Sequence, residues 1–227
     1  MNDFKIKKNR RLIIMVSGRG NNMRAIINTC YSKKWPIEVI GVISDNECPA
    51  INLATSLHIP TWVIDRKKFK NSNEFESELI NVVSYLNPCL IALAGFMRIL
   101  SYEFCKAHSG KLINIHPSLL PDYKGLKTHE RVIKKSEKFH GASVHAVNEF
   151  VDGGNVLCQG VVPVYQSDTP EILARRVMDI ETIIYPKSIA AILSSKVKLV
   201  NGEWKINAPD KDFPRFDFFR KYNHPDL

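Results

Sequence analysis

Three short stretches of this 227-residue chain place polar side chains where chemistry is possible. In Leu112-Ile113-Asn114-Ile115-His116-Pro117, an apolar run ends with an amide and an imidazole two residues apart. Alternate residues of a strand share a face, so Asn114 and His116 point the same way. Together they offer donors to an oxygen that becomes negative, and an imidazole can also carry a proton. The competing reading is a structural histidine, hydrogen-bonded at a strand end. Asp152, in Val151-Asp152-Gly153-Gly154, sits in an ordinary turn sequence. It gains a chemical role only if folding brings its carboxylate against His116, where it would orient the ring and stabilise its protonated form. The third stretch is Ser17-Gly18-Arg19-Gly20-Asn21-Asn22. Its glycines suit a tight turn, and a following helix would offer free N–H groups to an anion such as a phosphate. The dinucleotide fingerprint is incomplete, because Met23 stands where its third glycine belongs, and no Gly-Lys-Ser/Thr follows to make a P-loop. Phosphate cradle and plain turn both remain open.

The elements that must position these groups follow from hydrophobic periodicity. Leu12–Val16, Glu38–Ser44, Thr61–Ile64, Leu90–Ala94 and Lys111–Ile115 read as strands, most of them without polar alternation. Helices are expected between them: over Asn22–Cys30, from Pro49, from an Asn73 cap through the stripe Phe75, Leu79, Val82, Val83 and Leu86, and from Ser101. Buried strands alternating with amphipathic helices predict an α/β fold, a single domain whose mostly parallel sheet carries helices on both faces. Beyond it, Val144–Val147 and Val156–Val164 read as further strands. A long helix is expected from about Asp168, and a hairpin from Lys196–Val200 and Glu203–Ile206 around Asn201-Gly202. Residues 1–10 read as a basic N-terminal tail and residues 11–227 as one domain.

Composition narrows the classes. Hydrophobic residues make up 44% of the chain, enough for one filled core, and the apolar runs are far short of the ~20 residues of a membrane span. No apolar signal region follows the early basic residues, so the expected location is the cytoplasm. Cys30, Cys48, Cys89, Cys105 and Cys158 lie far apart with no CxxC pair, as free thiols would, and Cys89 is expected in the core. No metal site is expected, since His140 and His145 fall on opposite faces of a strand and have no companion ligand at suitable spacing. The net charge of +9 comes from short clusters without interleaved aromatics, which disfavours nucleic acid and suits phosphate-bearing small molecules.

Taken together, Ser17–Asn22, Ala94-Gly95-Phe96-Met97-Arg98-Ile99-Leu100, Asn114–Pro121 and Asp152-Gly153-Gly154 occur in the order found in one enzyme family. From about Arg11 to Ile192 the chain resembles the phosphoribosylglycinamide formyltransferases, folate-dependent enzymes of purine synthesis. The resemblance implies a Rossmann-like formyltransferase fold and 10-formyltetrahydrofolate as co-substrate, without metal. It implies that Gly20, Asn21, Asn22 and Glu181 hold the phosphorylated amine. Met97, Arg98, Ile99 and Leu100, with Asn114, would line the folate pocket, largely through backbone groups. Asn114 and His116 would stabilise the oxyanion, while Asp152 tunes His116 and helps manage the proton of the amine. Partners would be small molecules only, with the protein a monomer or homodimer. Ser72 departs from the family, since some members carry there an arginine for the glutamate tail of folate.

Rival readings remain distinguishable. A formyltransferase for charged initiator tRNA would need a further C-terminal domain, and a formyl-folate hydrolase usually has an additional N-terminal one. A nucleotide-binding module without chemistry would use Gly18, Gly20 and Asp45, which follows the second strand.

Overall fold

The computed structural model describes residues 10–207. Seven strands form one sheet in the order β3-β2-β1-β4-β5-β6-β7. The first five are β1 (Arg10–Val16), β2 (Ile37–Ser44), β3 (Thr61–Val63), β4 (Leu90–Leu93) and β5 (Leu112–His116), all paired in parallel. The last two, β6 (Phe139–Ala146) and β7 (Val156–Pro163), run antiparallel. The expected mostly parallel α/β sheet is therefore present. Arg10, expected in the basic tail, is the first residue of β1 and pairs with Ile37. The rest of that tail, and residues 208–227 of the expected domain, lie outside the described residues.

Side-chain alternation along β1 explains why both faces are covered. Leu12, Ile14 and Val16 pack with Met23 and Ile26 of α1 (Asn21–Ser32) and with Leu173, Val177 and Ile184 of α6 (Pro170–Leu193). Ile13 and Met15 point the other way, onto Phe75, Leu79 and Val83 of α3 (Ser72–Leu86) and Phe104 of α4 (Tyr102–Ala107). A strand buried on both faces needs an unbroken apolar run, and Leu-Ile-Ile-Met-Val supplies one.

Several helix boundaries are set by caps. Asn71 caps α3, its Oδ1 accepting from the Glu74 N–H at 2.9 Å, so the cap lies two residues before the expected Asn73. Ser101 caps α4 as expected. The cap of α6 is Thr169, whose hydroxyl accepts from the Ile172 N–H. Asp168 instead forms a two-pronged pair with Arg176, at 2.6 and 2.7 Å. Pro49 opens α2 (Pro49–Ser56) from the first helical turn. Cys89 is exposed rather than buried, because β4 starts one residue later. The helix α5 (Thr128–Lys134), absent from the expected elements, buries only Thr128 and Val132 and so shows little apolar periodicity. The hairpin β8 (Val197–Val200) and β9 (Glu203–Ile206) forms as expected.

The strand order reverses between β1 and β4, the neighbours from which the chain winds outward in opposite directions. Ligands of open α/β sheets bind outside the carboxyl ends of strands at such a point. There the Ser17 N–H donates to the Gly95 carbonyl at 3.1 Å, joining the loops that leave the two strands. Helix α6 crosses behind this point. The fully buried Tyr185 hydroxyl is shared between the carbonyls of Leu93 and Ile113, at 2.9 and 3.2 Å, which ties the helix to the end of β4 and to the first half of β5.

Candidate active site

A cleft of about 590 Å³ opens over the carboxyl ends of β4 and β5. Asn114 and His116 project from the last turn of β5 into it, on one face as the strand period requires. Asp152 reaches the same place from the loop between β6 and β7. Its Oδ2 lies 3.2 Å from His116 Nδ1 and accepts from the Gly125 N–H at 2.9 Å. The condition set by the sequence is met: the turn aspartate does contact the strand-end histidine.

The local sequence explains how the carboxylate is delivered. Asp152 itself has φ +48, a left-handed conformation that aspartate tolerates better than most residues. The next two positions leave no room for a side chain. A Cβ on Gly153 would come 2.6 Å from Phe150 Cβ, and one on Gly154 would come 1.9 Å from the Ala146 carbonyl oxygen. Asp-Gly-Gly is thus a close approach to the end of β6 as well as a turn.

His116 is almost fully buried, and its two ring nitrogens both face acceptors. Nδ1 faces Asp152, and Nε2 lies 3.0 Å from the Tyr123 carbonyl oxygen. Asn114 Nδ2 donates to His145 Nε2 at 3.2 Å, while His145 Nδ1 donates to the Ala146 carbonyl at 2.7 Å. That second bond fixes the tautomer and leaves Nε2 as an acceptor. Burial pushes the His145 pKa down, outweighing the Ala146 bond and the Asp152 charge, so the ring stays neutral and can hold the Asn114 amide. His145 is a site residue that its own sequence surroundings do not mark. Only the pairing of β5 with β6, which sets Asn114 opposite His145, places it there.

Of the other expected residues, Asn22, Glu181 and Met97 to Leu100 line the cleft on two flanks, whereas Gly20 and Asn21 precede Asn22 in the chain and do not line it. Gly20 precedes α1 with φ +78, and a Cβ there would lie 2.8 Å from Ala50 Cβ, so glycine is required twice over. Asn21 opens α1, whose first turn holds no acidic residue and receives no side-chain cap. Asn22 is buried, and its Nδ2 donates to Glu181 Oε2 at 2.7 Å. Both line the cleft, and Asn22 Oδ1 has no hydrogen-bond partner among the described residues. On the opposite flank, Met97, Arg98, Ile99 and Leu100 line the cleft. Met97 and Ile99 are exposed apolar side chains at its mouth, while Leu100 turns into the core. The Arg98 side chain is engaged with Asp45. Among the described residues no cluster of three His, Cys, Asp or Glu forms a metal site, and no helix is long and apolar enough to cross a membrane.

A model of the family described as formyl transferase matches residues 10–189. The chain belongs to the formyl transferase family. Within it, the chain is 38% identical to a Haemophilus influenzae protein named phosphoribosylglycinamide formyltransferase, over 84% of this chain and 90% of that one. The solved structure of the phosphoribosylglycinamide formyltransferase from Coxiella burnetii superposes with a TM-score of 0.82 at 38% identity, covering 86% of this chain and 92% of the other. A glycinamide ribonucleotide transformylase from Symbiobacterium toebii gives a TM-score of 0.85 at 29% identity, covering 91% and 98%. The fold is thus that of a formyl transferase.

Glu181 gives a test that needs no substrate. Burial raises its pKa from 4.5 to about 7, and the Asn22 bond opposes this only in part. The folded state therefore holds the proton more tightly than the unfolded chain. The associated stability is complete below pH 4.5 and is lost as pH rises through 7. Glu181→Gln still accepts from Asn22 but does not ionise. Urea unfolding at pH 5 and pH 8 is expected to show the variant gaining on the parent at the higher pH, by on the order of 2–3 kcal/mol. A pH-independent difference would contradict the assignment.

Proposed function

We propose that the chain transfers the formyl group of 10-formyltetrahydrofolate to the amine of 5'-phosphoribosylglycinamide, giving the formylglycinamide ribonucleotide and tetrahydrofolate in purine biosynthesis. The observation that carries this is the convergence of Asn114, His116 and Asp152 on one cleft of a formyl transferase. The names of the relatives support the choice of acceptor.

An amine is already a nucleophile, so the enzyme need only position it, stabilise an oxyanion and move a proton. The glycinamide nitrogen attacks the formyl carbon, and the carbonyl oxygen becomes negative. Asn114 Nδ2–H and His116 Nε2–H are the donors for that oxygen. In the free protein they are held by His145 and the Tyr123 carbonyl, acceptors that the stronger anionic one displaces. Asp152 keeps Nδ1 of His116 oriented and takes part in passing one proton from the attacking amine to N10 of the folate. The new C–N bond forms as the bond to N10 breaks, and no covalent enzyme intermediate is needed.

The two flanks suit the two substrates. The uncapped first turn of α1 offers N–H groups to the phosphate, with Gly20 and Asn21 beside it. The Asn22–Glu181 pair offers an acceptor and a donor to sugar hydroxyls. The exposed apolar side chains of Met97 and Ile99 suit a flat pteridine, with backbone groups of this segment for its polar edge. The reading treats residues 11–227 as one catalytic domain working in the cytoplasm on small molecules, as a monomer or homodimer and without metal. The five free thiols are consistent with that compartment.

The test is a turnover assay with 10-formyltetrahydrofolate and three acceptors: phosphoribosylglycinamide, unphosphorylated glycinamide and water alone. The phosphorylated amine is expected to react with kcat/KM on the order of 10⁴ M⁻¹s⁻¹ or more, typical of an enzyme on its own substrate. Formate as the main product whichever amine is present would instead make the chain a hydrolase.

A further inference from the structure

Asp45 is not free to contact a ligand as a nucleotide-binding module would require. Its side chain is 2% exposed, and both carboxylate oxygens are occupied within the protein. Oδ2 accepts from Arg98 Nε at 2.5 Å and Oδ1 from Asn46 Nδ2 at 2.8 Å. The Ser17 hydroxyl lies beside this carboxylate and helps lower its pKa, Asn46 Nδ2 also donates to the Ser17 carbonyl at 3.3 Å, and Ser17 Oγ accepts from the Met97 N–H at 2.9 Å. One carboxylate therefore joins the ends of three neighbouring strands: Ser17 after β1, Asp45 after β2, and Met97 with Arg98 after β4.

We infer that Asp45 is a positioning residue for folate: through Ser17 and Arg98 it fixes the Met97–Ile99 backbone, the wall of the cleft that faces the pteridine. The inference rests on the formyl-transfer reading for the identity of that ligand. Phe96 and Leu100 anchor the two ends of this segment in the core, but Met97 and Ile99 between them have exposed side chains, so packing leaves the backbone between the anchors to its polar contacts. Its attachments are instead polar, and two of them, the Met97 N–H and the Arg98 side chain, trace back to Asp45. Burial alone would raise the Asp45 pKa, but the bonds from Ser17, Arg98 and Asn46 and the Arg98 charge outweigh it, so the group remains an anion. A buried anion whose donors come from separate loops locks those loops together, since losing any one donor leaves charge unsatisfied. None of these contacts involves Asn22, Glu181 or the first turn of α1. The effect should therefore fall on one substrate and spare the other.

Steady-state kinetics with both substrates varied test this. Asp45→Ala is expected to raise the KM for 10-formyltetrahydrofolate about tenfold, with the KM for the phosphorylated amine and kcat each within about threefold of the parent. Arg98→Ala should raise the same KM, and the double variant should be no worse than the worse single one, since both cut one linkage. Because deleting a buried carboxylate can unfold a protein, Asp45→Asn provides a second arm. It keeps the shape and an acceptor for Ser17, and should give a smaller folate-specific rise. An unchanged folate KM in a folded variant, or equal rises for both substrates, would overturn the inference. Calorimetric folate binding separates this outcome from failure of the activity itself. A parent chain that binds folate in an Asp45-dependent way but transfers no formyl group would sink only the proposed activity.

Discussion

His116→Ala is expected to lower formyl transfer by about 10³- to 10⁴-fold while leaving the protein folded. Two contributions disappear at once. In the proposed mechanism Nε2–H is a donor to the oxyanion, and removing one such donor alone costs on the order of 10²–10³ in kcat. In that mechanism the ring also connects Asp152 to the reacting atoms, with Nδ1 lying 3.2 Å from Oδ2. Folding should survive because His116 ends β5 at the floor of a cleft rather than inside either apolar cluster. The loss should appear in kcat, with KM for both substrates changed little, because the interactions removed are strongest in the transition state. Single-turnover rates beside a thermal melt check this. A folded variant within tenfold of the parent would remove His116 from the chemistry.

Asp152→Asn should be the second-largest effect, and it isolates charge from shape. In the parent, Oδ2 receives both His116 Nδ1 and the Gly125 N–H, while Oδ1 faces His145 Nε2 at 3.6 Å. An asparagine can place its oxygen at the first position and its amide toward the His145 acceptor, so the contacts persist and only the negative charge is lost. A unit charge about 4 Å from a cation is worth about 4 kcal/mol at an effective dielectric of 20, or about 10³ in rate as an upper bound. Turnover is expected to fall about 10²- to 10³-fold with both KM values nearly unchanged. A drop below tenfold would mean that Asp152 orients the ring without contributing its charge. Loss of binding instead would mean that it supports the loop.

These two variants also show which parts of the site could be seen in the chain alone. Asn114 and His116 were legible because one strand end carries both, and strand geometry decides where they point. Asp152 was not, because its neighbours spell a turn. Only the approach of Gly154 to Ala146 and the antiparallel return of β6 and β7 bring its carboxylate to His116. His145 was hidden for the same reason, since cross-strand register is a tertiary fact that periodicity does not contain. Asp45 was visible only as part of a nucleotide-binding reading, because it follows the second strand. Its buried bonds to Arg98 and Asn46, which tie up both carboxylate oxygens, could not be read from the chain alone.

The same division runs through the fold. Core strands such as Leu12–Val16 and helices with a clear apolar stripe such as α3 could be located, because burial on both sides, or on one side, leaves a distinct pattern. Helix α5 could not, since only Thr128 and Val132 are buried and no stripe exists. The α3 cap moved from Asn73 to Asn71 because both residues are competent caps, and the bond to the Glu74 N–H decides between them. Cys89 sits beside an apolar run but outside the strand, so its neighbours' burial does not extend to it.

The most direct measurement follows the transferred carbon itself. The folded chain would be mixed with 10-formyltetrahydrofolate labelled with ¹³C at the formyl carbon and with phosphoribosylglycinamide, and the ¹³C resonance followed as the donor is consumed. Direct amine attack requires the label to move from the N10 formyl group into the formamide of the ribonucleotide, one for one, with no formate released. Label accumulating as formate, or remaining on the folate while the amine is untouched, would contradict the mechanism assigned to Asn114, His116 and Asp152.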